Sequence, residues 1–180
     1  MYKDFSISIP TYDNGTWTTT DFDDKKKFIE FVFSCFKEPG KYELDKTALL
    51  FNEQARLFTD QGKVYCMAPY RSRDFITYWE SEKKKCRAGV IFKNEGKTWY
   101  LPRDYYMWIN FLPIYDKIKK RFDFPLVWDV QIHMALYECL AELNGKHAAI
   151  TKKRQIASSY FHCAKLINQL WFEEGVILKM

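Results

Sequence analysis

The stretch His147-Ala-Ala-Ile-Thr-Lys-Lys-Arg-Gln-Ile-Ala-Ser-Ser-Tyr-Phe-His162 decides how this chain is read. It divides into a short buried strand, His147 to Thr151, a polar basic loop, Lys152 to Ser158, and an amphipathic helix beginning near Ser159. A helix leaves its first backbone amides without intrahelical partners and carries partial positive charge at that end. Crowding Lys152, Lys153 and Arg154 beside it is unfavourable unless an anion comes to sit among them. Strand, basic loop and helix in that order are the layout of a phosphate-binding loop.

The common pattern G-x-x-x-x-G-K-[ST] is not what the loop contains, because no glycine lies between Gly145 and Gly175. What stands there is Lys152, Arg154, Gln155, a small residue at Ala157 and a hydroxyl at Ser159. Taken alone, that pattern fits either a phosphate cradle or a basic, solvated turn ahead of a helix.

A leading lysine followed by Arg-Gln, a small residue and serine resembles the deviant Walker A loop of tailed-phage large terminases, the ATP-driven motors that package DNA into capsids. The flanks resemble the same family. Phe122 to Ala135 is similar to the helix that carries its adenine-recognising glutamine, a place Gln131 fills here. Tyr70-Arg71-Ser72-Arg73-Asp74 with Tyr78-Trp79-Glu80, then Arg87-Ala88-Gly89, then Tyr105 to Ile114 resemble the amino-terminal region of terminases from large Bacteroides-type, crAss-like phages. The similarity spans roughly residues 70–180, with its short motifs in the family's order.

The resemblance implies an α/β fold: the start of a P-loop ATPase domain at 126–180, a connector at 114–125, and a mainly helical accessory region with a β-hairpin at 1–113. It implies ATP and Mg2+ as cofactors. Lys152 would reach the outer phosphates, with Lys153 the alternative, and Arg154 would engage the terminal phosphate through its planar guanidinium. Ser159 would coordinate magnesium, while Ser158 and the amides from Gln155 to Ser159, Ala157 included, would complete the cradle. Gln131 would read adenine, since a carboxamide both donates and accepts. The family usually has glycine where Ala157 stands, and glycine tolerates a positive φ. Implied partners are double-stranded DNA, the phage portal, the small terminase subunit and further copies of the chain, in the host cytoplasm.

Length bears on activity. The chain has 180 residues, and Val176 to Met180 reads as the start of a second core strand, which suggests truncation before the full parallel sheet. Neither an acidic strand end to polarise magnesium nor a nuclease domain is expected, so nucleotide binding without independent hydrolysis is the expectation. The rival expectation is a noncatalytic basic α+β adaptor that contacts DNA or a protein partner.

Composition fits an intracellular protein: five scattered cysteines with no C-x-x-C pair, an amino terminus unlike a signal peptide, and a net charge of +5. No run approaches the roughly 18 apolar residues of a membrane span. His133, His147 and His162 lack metal-ligand spacing, and no G-x-S-x-G motif supports acyl transfer.

Periodicity predicts an extended or irregular arm over 1–20 with a turn at Asn14-Gly15, and helices from Asp23 or Asp24 to about Lys37, from Asp45 to Gly62, and from Ser72 to Cys86. It further predicts a hairpin over Val90 to Leu101, an aromatic strand from Tyr105 to Leu112, and a helix from Leu126 to Asn144. The runs Lys83 to Lys85 and Lys117 to Arg121 read as solvated faces, with contact to DNA backbone the alternative.

Overall fold

The computed structural model describes residues 5–13, 15–36, 58–59, 62–63, 65–66, 68–94, 97–125, 127–152 and 157–173. Strands β1 (Ile7–Asp13) and β2 (Thr16–Phe22) form an antiparallel hairpin, with Asp13 opposite Thr16 and Gly15 at φ +90° in the turn. The expected arm is therefore regular. β3 (Phe58–Thr59) and β4 (Gly62–Lys63) pair as a minimal ladder. Those two pairs correct the end of the helix expected from Asp45 to Gly62; the rest of that helix lies outside the described residues.

β5 (Val90–Asn94) and β6 (Lys97–Leu101) form the predicted hairpin, and β5 lies parallel to β1 with Thr11 opposite Ile91. The result is a four-stranded mixed sheet in the order β2-β1-β5-β6.

Helix α1 (Lys25–Ser34) starts where Asp24 Oδ1 accepts from the Lys26 amide at 2.7 Å, and α2 (Arg73–Ala88) where Ser72 Oγ accepts from the Phe75 amide at 3.2 Å. α2 stops at Gly89, whose φ of +77° suits only glycine. The polar face expected for α2 is partly inside the molecule. Lys85 donates to Glu82 Oε1 at 2.6 Å with its ammonium 4.0 Å from the Trp17 ring centre, and Tyr106 donates to Glu82 Oε2 at 2.7 Å. Burial of this pair is tolerated because each charge is hydrogen-bonded.

The segment expected as an aromatic strand is a helix, α3 (Arg103–Phe111). Pro102 precedes its first turn, where a missing N–H costs nothing, and Asp104 lies in that turn. All seven residues from Asp104 to Asn110 are buried, so the run shows no polar face. An aromatic stretch without a polar face has no helical period to read.

β7 (Ile114–Asp116) and β8 (Arg121–Asp123) make a further hairpin inside the expected connector. α4 (Asp129–Leu143) follows and ends at Asn144-Gly145, close to the predicted bounds. α5 (Ser158–Phe172) begins within one residue of expectation. α3 is the central element, packed by α2, α4 and α5. One apolar cluster joins Ile9, Phe28, Ile91 and Trp108 to Ile132, Ala135, Phe161 and Ala164, so sheet and carboxyl-terminal helices share a core.

Candidate functional site

The residue directly ahead of α5 is Ala157, whose φ of 54° and ψ of 17° are left-handed. For an L-residue with a Cβ this costs about 1–2 kcal/mol. Ala157 brings no side-chain cap either, so the first-turn amides of α5 have no such partner. Ser158 faces inward and is buried, with its Oγ 3.2 Å from His162 Nδ1. Ser159 is exposed on the same turn.

Two cavities flank this turn. The larger, about 760 Å³, is lined by Lys152, Ser158, Ser159, His162 and Lys165 together with Glu138 of α4. The smaller, about 290 Å³, is lined by Ala157, Gln131, Trp108, Trp128 and Phe124 with Asp116 of the β7–β8 hairpin. Lys152, Ser158 and Ser159 thus meet on one side of the α5 terminus, and Gln131 meets Ala157 on the other. Lys153, Arg154 and Gln155 lie outside the described residues.

The strand expected from His147 to Thr151 is not formed. These residues are exposed and unpaired in any ladder, and among the described residues no strand lies alongside to pair with them. A strand exists only through hydrogen bonds to a neighbour, and local sequence cannot supply that neighbour.

The wall of the larger cavity is a charged network that the sequence reading missed. His162 Nε2 lies 2.8 Å from Glu138 Oε1, and its Nδ1 lies 2.7 Å from the Ser158 carbonyl oxygen. Lys165 donates to Glu138 Oε2 at 2.7 Å and lies 2.5 Å from Glu142 Oε1. Burial works against the Lys165 charge, but its bonds to Glu138 and Glu142 outweigh that and hold its pKa above the ordinary lysine value. Arg103 extends the chain, joining Glu173 and approaching Glu142 at 3.9 Å and Asp104 at 3.6 Å. The signal was present as helical spacing: Ser158, His162 and Lys165 share one stripe, and Glu138 and Glu142 another.

Lys152 differs from Lys165 in making no ion pair among the described residues. An unpaired ammonium, uncapped helix amides and an exposed hydroxyl form an arrangement that fits a phosphate group. Ser159 would offer a magnesium ion a single oxygen, which fits such an ion only if phosphates and water supply its other ligands. Among the described residues no group of three or more His, Cys, Asp or Glu side chains is placed to hold a metal. Burial pushes the Cys139 thiol up to about 12, which leaves it unreactive near neutrality. Among the same residues no helix is long and apolar enough to cross a membrane.

Comparison with protein-family models, curated proteins and solved structures finds no match.

Proposed function

We propose that this chain is the ATP-binding amino-terminal portion of a phage large terminase subunit, which powers translocation of double-stranded DNA into the capsid. It would work in the host cytoplasm with the portal, the small subunit and other copies of itself. The observation that carries the reading is Ala157. The resembled loop usually has glycine at this place, and this chain holds an alanine in the left-handed conformation there, directly ahead of α5. A costly backbone conformation at a helix entrance, near a lysine with no ion pair among the described residues, is the sort of strain that functional loops retain.

In this reading the triphosphate lies at the first turn of α5, against Lys152 and the backbone amides. Ser159 contacts magnesium, and the base enters the smaller cavity beside Gln131. Ser158 lies on the phosphate side, and the resemblance would add Lys153, Arg154 and Gln155, which lie outside the described residues. The bound nucleotide supplies the phosphoanhydride that drives transport; the residues named here bind and orient it.

A second reading, a noncatalytic basic α+β adaptor that contacts DNA or a protein partner, is favoured by one observation. His147 to Thr151 is not a paired strand, and phosphate loops are normally anchored by one. Calorimetry with ATP and magnesium separates the two. Saturable binding by the wild type that is lost in Lys152→Ala, with the fold intact by circular dichroism, supports the nucleotide site. A folded wild type that binds neither ATP nor ADP leaves the adaptor.

A further inference from the structure

We infer that the β7–β8 hairpin is a contact for a single nucleic-acid strand, holding phosphates with Lys117 and Lys120 and stacking bases on Tyr115 and Phe122. The register places Tyr115 directly opposite Phe122, so both rings project from one face of the ribbon. Their centroids are 5.5 Å apart at 73°, yet the residues remain 49% and 56% exposed. Ile114, Asp116 and Asp123 point to the opposite face, where they line the Gln131 cavity. Neither ring lines that cavity.

The charges are arranged to leave a positive tip. Asp116 Oδ1 accepts from the amides of Ile118 and Lys119 at 2.8 and 3.0 Å, which organises the turn. Asp123 accepts from Lys119 Nζ at 2.7 Å and lies 3.5 Å from Arg121. Both carboxylates are thus engaged within the hairpin, whereas Lys117 and Lys120 have no ion pair among the described residues. Between them Ile118 is 93% exposed.

The partner follows from both features together. An acidic protein surface would answer the cations but offers planar faces only at scattered aromatic or arginine side chains. A duplex answers the cations but keeps its bases stacked on one another. A single strand presents regularly spaced phosphates and unstacked bases, and aromatic stacking with flanking cations is how such strands are held. Rings and cations answer bases and phosphates alike on either sugar, so the hairpin takes DNA and RNA strands without discrimination. None of this depends on the α5 site binding nucleotide.

Fluorescence anisotropy on the full chain tests the inference with labelled oligo-dT, a duplex of equal length and oligo-rU. Two exposed-surface variants, Tyr115→Ala/Phe122→Ala and Lys117→Ala/Lys120→Ala, are compared with the wild type after thermal melts show that they fold. The expected result is saturable binding of oligo-dT, weakened roughly 10- to 100-fold by the ring variant. The lysine variant should reduce the log–log salt slope by about 1.4, the share of two phosphate contacts on a single strand. Absence of saturable oligo-dT binding, hairpin variants that bind it like the wild type, or duplex binding weakened by the ring variant as much as oligo-dT binding would each overturn it.

Discussion

Asn168, wholly buried on α5, donates its side-chain amide to the Cys86 carbonyl oxygen in the last turn of α2 at 2.9 Å, across 82 residues of sequence. That carbonyl belongs to a helix end where intrahelical partners run out, so Asn168 serves as its cap in trans. The same amide lies 3.4 Å from Met107 Sδ on α3, so one side chain touches three helices. Asn168→Leu keeps the branched shape and the heavy-atom count, adds bulk and removes the donor. We expect a loss of about 1–3 kcal/mol in urea unfolding. A change below a few tenths would show that water replaces the bond without cost.

Asp104 predicts a pH dependence. Burial drives its pKa up from 3.8 to about 6, against the opposing pull of Arg103 and Lys165. A raised carboxylate pKa means that the fold prefers the protonated form. Stability from this group is therefore complete below 3.8 and is lost as pH rises through about 6. Asp104→Asn imitates the protonated form, so it should exceed the wild type by about 3 kcal/mol at pH 7.5 and match it near pH 4. A variant less stable than the wild type at pH 7.5 would mean that attraction to Arg103 dominates.

Ala157→Gly should relieve the left-handed backbone at the start of α5. The gain of about 1–2 kcal/mol in the fold is partly offset by the greater freedom of glycine in the unfolded chain. A net rise of roughly 0.5–1 kcal/mol by denaturant titration is expected, and Ala157→Val should move the other way.

Gly89→Ala tests the close approach behind α2. An added Cβ would lie 2.5 Å from the Leu101 carbonyl oxygen and 2.9 Å from the Tyr100 ring, at a φ that already disfavours side chains. The neighbours are fixed, since Tyr100 donates to the Ala88 carbonyl at 2.9 Å. A loss above about 3 kcal/mol is expected from the combined clash and strain. Near-neutral behaviour in thermal melts would contradict the packing described here.

The helices α1, α2, α4 and α5 were legible in the sequence because each presents a cap or an apolar stripe that local chemistry dictates, as Asp24 and Ser72 do. The β5–β6 hairpin announced itself through β-branched and aromatic residues on either side of Asn94-Glu95-Gly96. α3 did not, because residues buried on every side carry no period and tyrosine and tryptophan favour strands intrinsically. His147 to Thr151 failed for another reason: Ala-Ala-Ile is apolar enough for a core strand, but a ladder requires a partner elsewhere in the chain. At the site, Lys152, Ser158 and Ser159 were found as a local string. Glu138, His162 and Lys165 come together only when α4 packs on α5, so their association is a property of the fold.

The parallel pairing of Thr11 with Ile91 also sets the order of events as the chain emerges during synthesis. The β1–β2 hairpin can close at once, but the second edge of β1 stays open until about eighty further residues have followed. Through that interval a strand carrying Ile7, Ile9 and Tyr12 exposes unsatisfied backbone groups to any neighbouring chain. Such long-range closure is slow, so nascent chains that stall between residues 23 and 90 are the ones in which cross-pairing between molecules competes with folding.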